Sequence, residues 1–290
     1  MSEKARRILL LGNSGKMGQA LAAAFPGQDQ VVCANSTGLD ANDFSQVGKL
    51  IDQCRPDLLF NTVAFQGIDQ CEREPEKALR LNTMLPKFLA ECAEDRGFDL
   101  VHFSSDSVFN NAVGRPFSES DTPCPLNMYG VTKYGGDCFV QNTTRRHYLI
   151  RVSLLFGPTG RANQFVERML SRIRNGEKSL RISSDVIASP TFSLDVASAV
   201  MGLISRKAPY GLYHIANAGQ ASLHDLMSRI VDRLSLDADI ESCSHAEFPA
   251  LGRKNTYTPI RSEKVAQLRP WSEAVDDYCR YISAEWRHNV

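Results

Sequence analysis

Short apolar runs alternate with amphipathic stretches over the first half of the chain. RRILLLG (6–12) is too short for a helix and ends in glycine, so it predicts a buried strand. QALAAAF (19–25) predicts a helix, QVVCAN (30–35) a second strand and DFSQVGKLIDQC (43–54) a second helix. RPDLLFNTVA (55–64) leads into a third strand. PEKALRLNTMLPKFLAECAEDRG (75–97) predicts one long helix, with Pro75 in its first turn, Gly97 at its stop and a kink at Pro86. DLVHFSS (99–105) is a fourth strand, Tyr129 to about Arg145 a helix, and HYLIRVSLLFG (147–157) a fifth strand. Strands alternating with helices imply a parallel sheet wound on both faces.

After Gly157 the rhythm changes. NQFVERMLSRIRNG (163–176) predicts a helix ended by Asn-Gly, and LRISSDVIASPT (180–191) is extended or looped. FSLDVASAVMGLISRK (192–207) returns to a helix and GLYHIAN (211–217) to a strand. SLHDLMSRIVDRL (222–234) is a helix with a serine cap, and the last helix lies near Ser272–Trp286. The expected fold is α/β, a Rossmann-like doubly wound parallel sheet with a smaller, interleaved C-terminal substrate domain. Residues 1–157 and 191–216 are expected to form the dinucleotide-binding domain, and 158–190 with 217–290 the substrate-binding domain.

Composition narrows the class. Lys+Arg and Asp+Glu are equal at 33 each, so there is no global attraction to nucleic acid or an anionic membrane. The eight cysteines include no C-x-x-C pair, which predicts small buried thiols in a reducing compartment. The six histidines show no metal-ligand spacing. No apolar run reaches about 18 residues, and MSEKARR passes straight into a strand. The expectation is a cytoplasmic enzyme or binding protein without a metal.

Between the first strand and first helix lies GNSGKMG, with Gly12, Gly15 and Gly18 spaced G-x-x-G-x-x-G. Glycines there let backbone amides approach a pyrophosphate at a helix N-terminus. Gly12, Ser14, Gly15, Lys16, Met17 and Gly18 are the candidate contacts; a tight turn with close helix–sheet packing is the competing reading. The second strand ends in Asn35-Ser36-Thr37, with no carboxylate to repel a 2′-phosphate, which favours NADPH over NADH. Lys16 could assist. Asp40 is placed either to accept from an adenine amine or to cap a helix.

Ligands of such sheets sit at the carboxyl ends of the strands, so Ser104, Ser105 and Asp106 should emerge at the cofactor's edge. The next helix carries Tyr129 and, four residues on, Lys133, on one face. Glycine loop, strand-end serine and Tyr-x-x-x-Lys, in that order, resemble the extended short-chain dehydrogenase/reductase superfamily. FNTVAFQGIDQCEREPEKALRLN, VHFSSDSVF, PFSESDTPCPLNMYGVTK, GLYHIAN and SEK (262–264) resemble dTDP-4-dehydrorhamnose reductase and its relatives nearly end to end.

That resemblance implies NAD(P)H-dependent reduction of the C4 ketone of a deoxyhexose on a nucleoside diphosphate. Tyr129 would be the general acid. Lys133 would supply positive charge and bind ribose hydroxyls, and Ser105 would hydrogen-bond the developing alkoxide. Thr62, Val63, Ala64 and Asn82 stand where the family lines its cofactor. A homodimer is also implied. Asp106, Ser107, Phe109, Leu154, Val186 and Tyr257 are the substrate-side candidates. Arg115, Arg161, Arg168, Lys254 and Arg261 are candidates for the substrate diphosphate, and Phe165 for the pocket wall, with surface charge or core packing as the competing readings. The chain departs from the family mainly on the sugar side: Ser107 replaces a tyrosine, Leu154 a tryptophan, and the runs around Val186 and Arg253–Thr258 differ. The expected substrate is therefore a nucleotide sugar other than the rhamnose precursor. A non-catalytic regulatory subunit, like the beta subunit of methionine adenosyltransferase, is the alternative reading.

Overall fold

The structure, a computed structural model, describes residues 5–112, 114–159 and 164–288. Its first half is β1 (Arg7–Leu11), α1 (Lys16–Ala24), β2 (Gln30–Ala34), α2 (Phe44–Cys54), β3 (Leu58–Asn61), α3 (Ile68–Arg73), α4 (Pro75–Leu79), α5 (Leu85–Arg96), β4 (Asp99–Ser105), α6 (Met128–Thr143) and β5 (His147–Val152). Then come α7 (Phe165–Arg174), β6 (Ser179–Ser183), α8 (Ser193–Ser205), β7 (Gly211–His214), α9 (Leu223–Leu234), β8 (Asp239–Cys243) and α10 (Trp271–His288).

Six strands pair in parallel in the order β7-β5-β4-β3-β1-β2. Alternation within each strand sorts its apolar residues to two cores. Ile8, Leu10, Phe60 and Ile150 pack with Leu21 of α1 and Val196 and Val200 of α8. Leu9, Leu11, Leu59 and Leu100 pack with Val47 of α2 and Leu85 and Leu89 of α5. The chain leaves β1 outward to β2 and returns to β3 on the other side. A crevice therefore opens between the carboxyl ends of β1 and β3.

A third core forms around Phe156, Met169, Leu180, Leu226, Ile230 and Tyr278. There β6 pairs in parallel with β8. The stretch read as extended or looped thus contains a strand, and its partner β8 escaped the sequence pattern because most of DIESC is exposed or half-buried. Ser222 caps α9 with a reciprocal bond to Asp225.

The kink expected at Pro86 is resolved as a π turn, Arg80–Met84, between α4 and α5. Pro86 has no N–H to donate to the Asn82 carbonyl four residues back. That carbonyl lies under Gly136 of α6, where a Cβ would come within 2.3 Å of it. The glycine pair after Lys133 therefore exists so that α6 can lie flat on the turn.

Gly136→Ala should lower stability by about 1–3 kcal/mol, an overpacking cost. The measurement is urea unfolding, with Gly27→Ala, which meets nothing within 4 Å, as control. Equal midpoints for the two variants would contradict this account of the packing.

Candidate active site

The chain leaves β1 through Gly12 at φ +87°, and its N–H donates to the Ala34 carbonyl at 2.8 Å. A Cβ on Gly12 would lie 2.6 Å from Thr62 Oγ1, so only glycine lets the two strand ends come together. Gly15 begins α1 without a side-chain cap, which leaves the first-turn amides for a ligand. A groove of about 950 Å³ runs from this turn along the carboxyl ends of the strands. Gly12, Ser14, Gly15 and Met17 line it, as do Asn35, Ser36 and Asp40 and, after β3, Thr62, Val63 and Ala64. An amide-rich glycine turn that a Cβ would fill fits the pyrophosphate of a dinucleotide.

At the β2 end Asn35 is committed to its own turn, accepting from the Thr37 N–H at 3.0 Å. Asp43, not Asp40, caps α2. Asp40 faces the groove and accepts from Asn42 N and Nδ2, each at 2.9 Å; these bonds hold its carboxyl below the usual carboxylate range.

At the groove's other end Tyr129 and Lys133 face Ser104, Ser105 and Asp106. Asn127 caps α6 by accepting from Gly130 N at 2.9 Å, which sets where the helix begins and hence where Tyr129 points. The phenol and the Ser105 hydroxyl line the same end of the groove. Burial pushes the phenol's titration above its ordinary value, and the Ser105 hydroxyl opposes that rise only in part. Lys133 is 1% exposed and donates from Nζ to the Phe103 carbonyl at 2.7 Å. Burial brings its ammonium down to about 8, while Asp137, one turn further on, opposes that fall. Asp137 is itself buried and pairs with buried Arg151 at 3.0 Å. The Arg151 guanidinium lies over the Phe109 ring, 5.3 Å from its centre.

Several expected contacts have other partners or lie elsewhere. Lys16 lines the groove but turns its ammonium to the Leu155 carbonyl (3.2 Å) and to Glu167 of α7 (3.1 Å), so its charge is compensated within the protein. Gly18 is a packing glycine, since a Cβ there would be 2.3 Å from the Gly12 carbonyl. Asn82 is buried and off the groove; it accepts from Phe65 N (2.8 Å) and donates to the Phe65 carbonyl (2.9 Å) and Thr132 Oγ1 (3.1 Å). Phe109 is fully buried and stacks on Phe117 at 4.2 Å, because Arg151 and His214 close the other sides. It is a core residue. Ser107 stands behind Ser105, Val186 takes its backbone bond from Leu223 N, and the Tyr257 hydroxyl donates to Gln220; none of these three side chains lines the groove.

Leu154 does line it, at a left-handed φ of +32°. Among the basic candidates, Arg168 lies on the groove wall with Gln164 and Phe165. Arg115 pairs with Asp121 and Arg261 with Glu263, and Lys254 sits over Phe248, all away from the groove. Arg161 falls outside the described residues. Sequence reasoning missed Gln66 and Gln70, whose only signal was that they continue the strand-end segment past Ala64. Of the eight free thiols Cys71, Cys92, Cys243 and Cys279 are buried, whereas Cys33 and Cys124 are exposed. Among the described residues no helix is long and apolar enough to cross a membrane.

Comparison with known proteins agrees with this arrangement. Residues 6–283 match the family model described as "RmlD substrate binding domain". The chain is 31% identical over 283 residues to the spore coat polysaccharide biosynthesis protein SpsK of Bacillus subtilis, covering 96% of this chain and 98% of that protein. It is 29% identical to the dTDP-4-dehydrorhamnose reductase of Mycolicibacterium smegmatis, over 94% of this chain and 85% of the relative. The crystal structure of a dTDP-4-dehydrorhamnose reductase from Bacillus anthracis, solved with NADP, superposes with a TM-score of 0.90 at 25% identity, covering 97% of this chain and all of the other. The Clostridium acetobutylicum reductase superposes at 0.89 with 27% identity, over 95% and 99% of the two chains. With a glycine turn, a strand-end serine and a half-buried tyrosine beside a buried lysine on one groove, the chain belongs to the dTDP-4-dehydrorhamnose reductase-like family of extended short-chain dehydrogenase/reductases and is an NAD(P)H-dependent oxidoreductase.

Proposed function

We propose that the protein reduces the C4 ketone of a dTDP-linked deoxyhexose, with NADPH as the preferred donor. The observation that carries this is the Tyr129 phenol, beside Ser105 and one helical turn from Lys133, at the end of the groove that begins at the glycine turn. Gly12, Ser14, Gly15 and Met17 would hold the pyrophosphate, and Lys133 the nicotinamide ribose. The absence of a carboxylate at Asn35-Ser36-Thr37 supports NADPH. When bound, the reduced nicotinamide supplies a hydride. Tyr129 gives its proton to the carbonyl oxygen, so C=O becomes H–C–O–H and a phenolate remains.

A protein that keeps the phenol protonated has it in the form a reductase needs. Ionising a phenol near neutrality requires a shift of roughly three units, about 4 kcal/mol. The buried Lys133 ammonium contributes to that, more strongly than it would in water. The division into 1–157 with 191–216 and 158–190 with 217–290 is part of the same reading, supported by the separate apolar core around α7, α9 and α10. So are a homodimer and a cytoplasmic location.

Tyr129→Phe should lower kcat by about 10²–10⁴-fold, the usual worth of a positioned acid, and leave NADPH affinity nearly unchanged. Stopped-flow NADPH oxidation and cofactor titration measure both. Undiminished turnover would remove Tyr129 from the mechanism. The Lys133 value of about 8 gives a pH expectation. The ammonium is present below that pH and lost above it, so kcat/KM should be level near pH 7 and fall as pH rises past about 8. A rate still rising at pH 9 would contradict the role.

Leu154 stands where the family carries tryptophan, so the rhamnose precursor should not be the best substrate. Leu154→Trp should raise its kcat/KM relative to other dTDP-4-keto sugars by about tenfold, within the range a filled apolar pocket contributes. A wild-type enzyme that already prefers the rhamnose precursor would refute this.

A further inference from the structure

We propose that Asp106 is a positioning residue that holds Ser105 in one hydrogen-bonding state and ties that state to the seating of the C-terminal lobe. The inference rests on the reductase reading and names the device that sets the Tyr129–Ser105 contact. Asp106 directly follows the catalytic strand end and is 8% exposed. Three hydroxyls converge on its two carboxylate oxygens. Ser105 Oγ donates to Oδ1 at 2.9 Å, while Ser153 Oγ and Thr258 Oγ1 donate to Oδ2 at 2.6 and 2.8 Å. An ionised carboxylate only accepts, so three donors aimed at it define the anion. Burial pushes its titration up, and the same hydroxyls oppose that rise.

A serine hydroxyl carries one proton. Two acceptors compete for that of Ser105: Asp106 Oδ1 at 2.9 Å and Ser107 Oγ at 3.2 Å. The nearer and charged one wins. With its proton committed, Ser105 Oγ has only lone pairs to offer. One takes the Ser107 N–H at 3.1 Å, and the other is left for the neutral Tyr129 hydroxyl at the same end of the groove. Ser105 thus meets the phenol as an acceptor. It becomes a donor only by giving up its bond to Asp106, when a phenolate has formed and needs one.

The other two donors come from distant chain segments. Ser153 follows β5 and also receives Ser189 N at 3.1 Å; Ser189 Oγ in turn receives Ile260 N at 3.2 Å. Thr258 lies on the same C-terminal segment, which bridges to Ile187 and Phe117. One carboxylate therefore reports to the catalytic serine whether the C-terminal segment that carries Thr258 and Ile260 is in place.

Two experiments decide the matter. The first is a kinetic double-mutant cycle with Ser105→Ala, Asp106→Asn and the double variant. An amide at 106 offers one acceptor and one donor where three donors need acceptors. Asp106→Asn should lower kcat about 10–100-fold with KM for NADPH within about twofold, and should add no more than about twofold to the loss in Ser105→Ala. Losses that multiply would mean that Asp106 serves the fold alone and would overturn the proposal. The second needs neither variant nor substrate: neutron diffraction from deuterated wild-type crystals. The Ser105 deuteron should point at Asp106 Oδ1, and one directed at Ser107 or Tyr129 would sink the idea. Should the wild type reduce no dTDP-4-keto sugar, the reductase reading fails, while the deuteron's position still decides the role of Asp106.

Discussion

The site depends on how closely α6 lies against the turn between α4 and α5. Tyr129 and Lys133 act only if they stand at a fixed height above the carboxyl ends of β3 and β4. The helix's own hydrogen bonds do not set that height. It is set where Gly136 rests on the Asn82 carbonyl and Thr83 Oγ1 donates to the Thr132 carbonyl at 2.6 Å. The Asn82 carboxamide then links Thr132 to the backbone of Phe65, just past the groove-lining segment. A carbonyl freed by Pro86, the Asn82 carboxamide and a pair of glycines thus connect α6 to the groove wall. The π turn makes this possible, because it releases the carbonyl without leaving the helix.

Behind that contact lies a chain of buried charge: Lys133, Asp137 and Arg151. Burying one ammonium costs several kcal/mol unless an opposite charge and hydrogen bonds meet it. Here the ammonium has the Phe103 carbonyl and the field of Asp137, and Asp137 has Arg151. Removing Arg151 would leave a buried carboxylate unpaired, a change of about 3–5 kcal/mol. The arrangement explains why Phe109 belongs to the core rather than to the pocket, since its ring covers the guanidinium that ends the chain. A sugar-side role for Phe109 would require uncovering it.

The architecture was legible because parallel strands buried on both faces leave unbroken apolar runs, and because glycine is needed where β1 turns into α1. The Tyr129–Lys133 spacing was legible for the same local reason. What could not be read depends on partners far along the chain. Lys16 lines the groove as the spacing suggests, yet its ammonium is shared with Glu167, 151 residues on, which no local pattern announces. Asn82 looks like a cofactor contact until its three bonds are seen to point into the protein. Asp40 shows the opposite case: its competing role as a cap fell to Asp43, three residues later, and the groove kept it. In each case the residue type was informative, and the competing partner decided its use.

The two walls of the groove answer to different constraints, and this bears on how the substrate is chosen. The cofactor wall is backbone: amides of a glycine turn and the ends of buried strands, which tolerate little change. The opposite wall comes from α7 and the segment after β5, whose Ser153 is held by the hydroxyl contacts that meet at Asp106. Leu154 sits at the join, between Ser153, bonded to Asp106, and Leu155, whose carbonyl receives Lys16. Its left-handed backbone is retained because both neighbours are fixed and its own carbonyl accepts Thr191 N at 3.1 Å. The Leu154 side chain can therefore change in size at the groove while its backbone stays anchored, one residue from the Ser153 hydroxyl that meets Asp106.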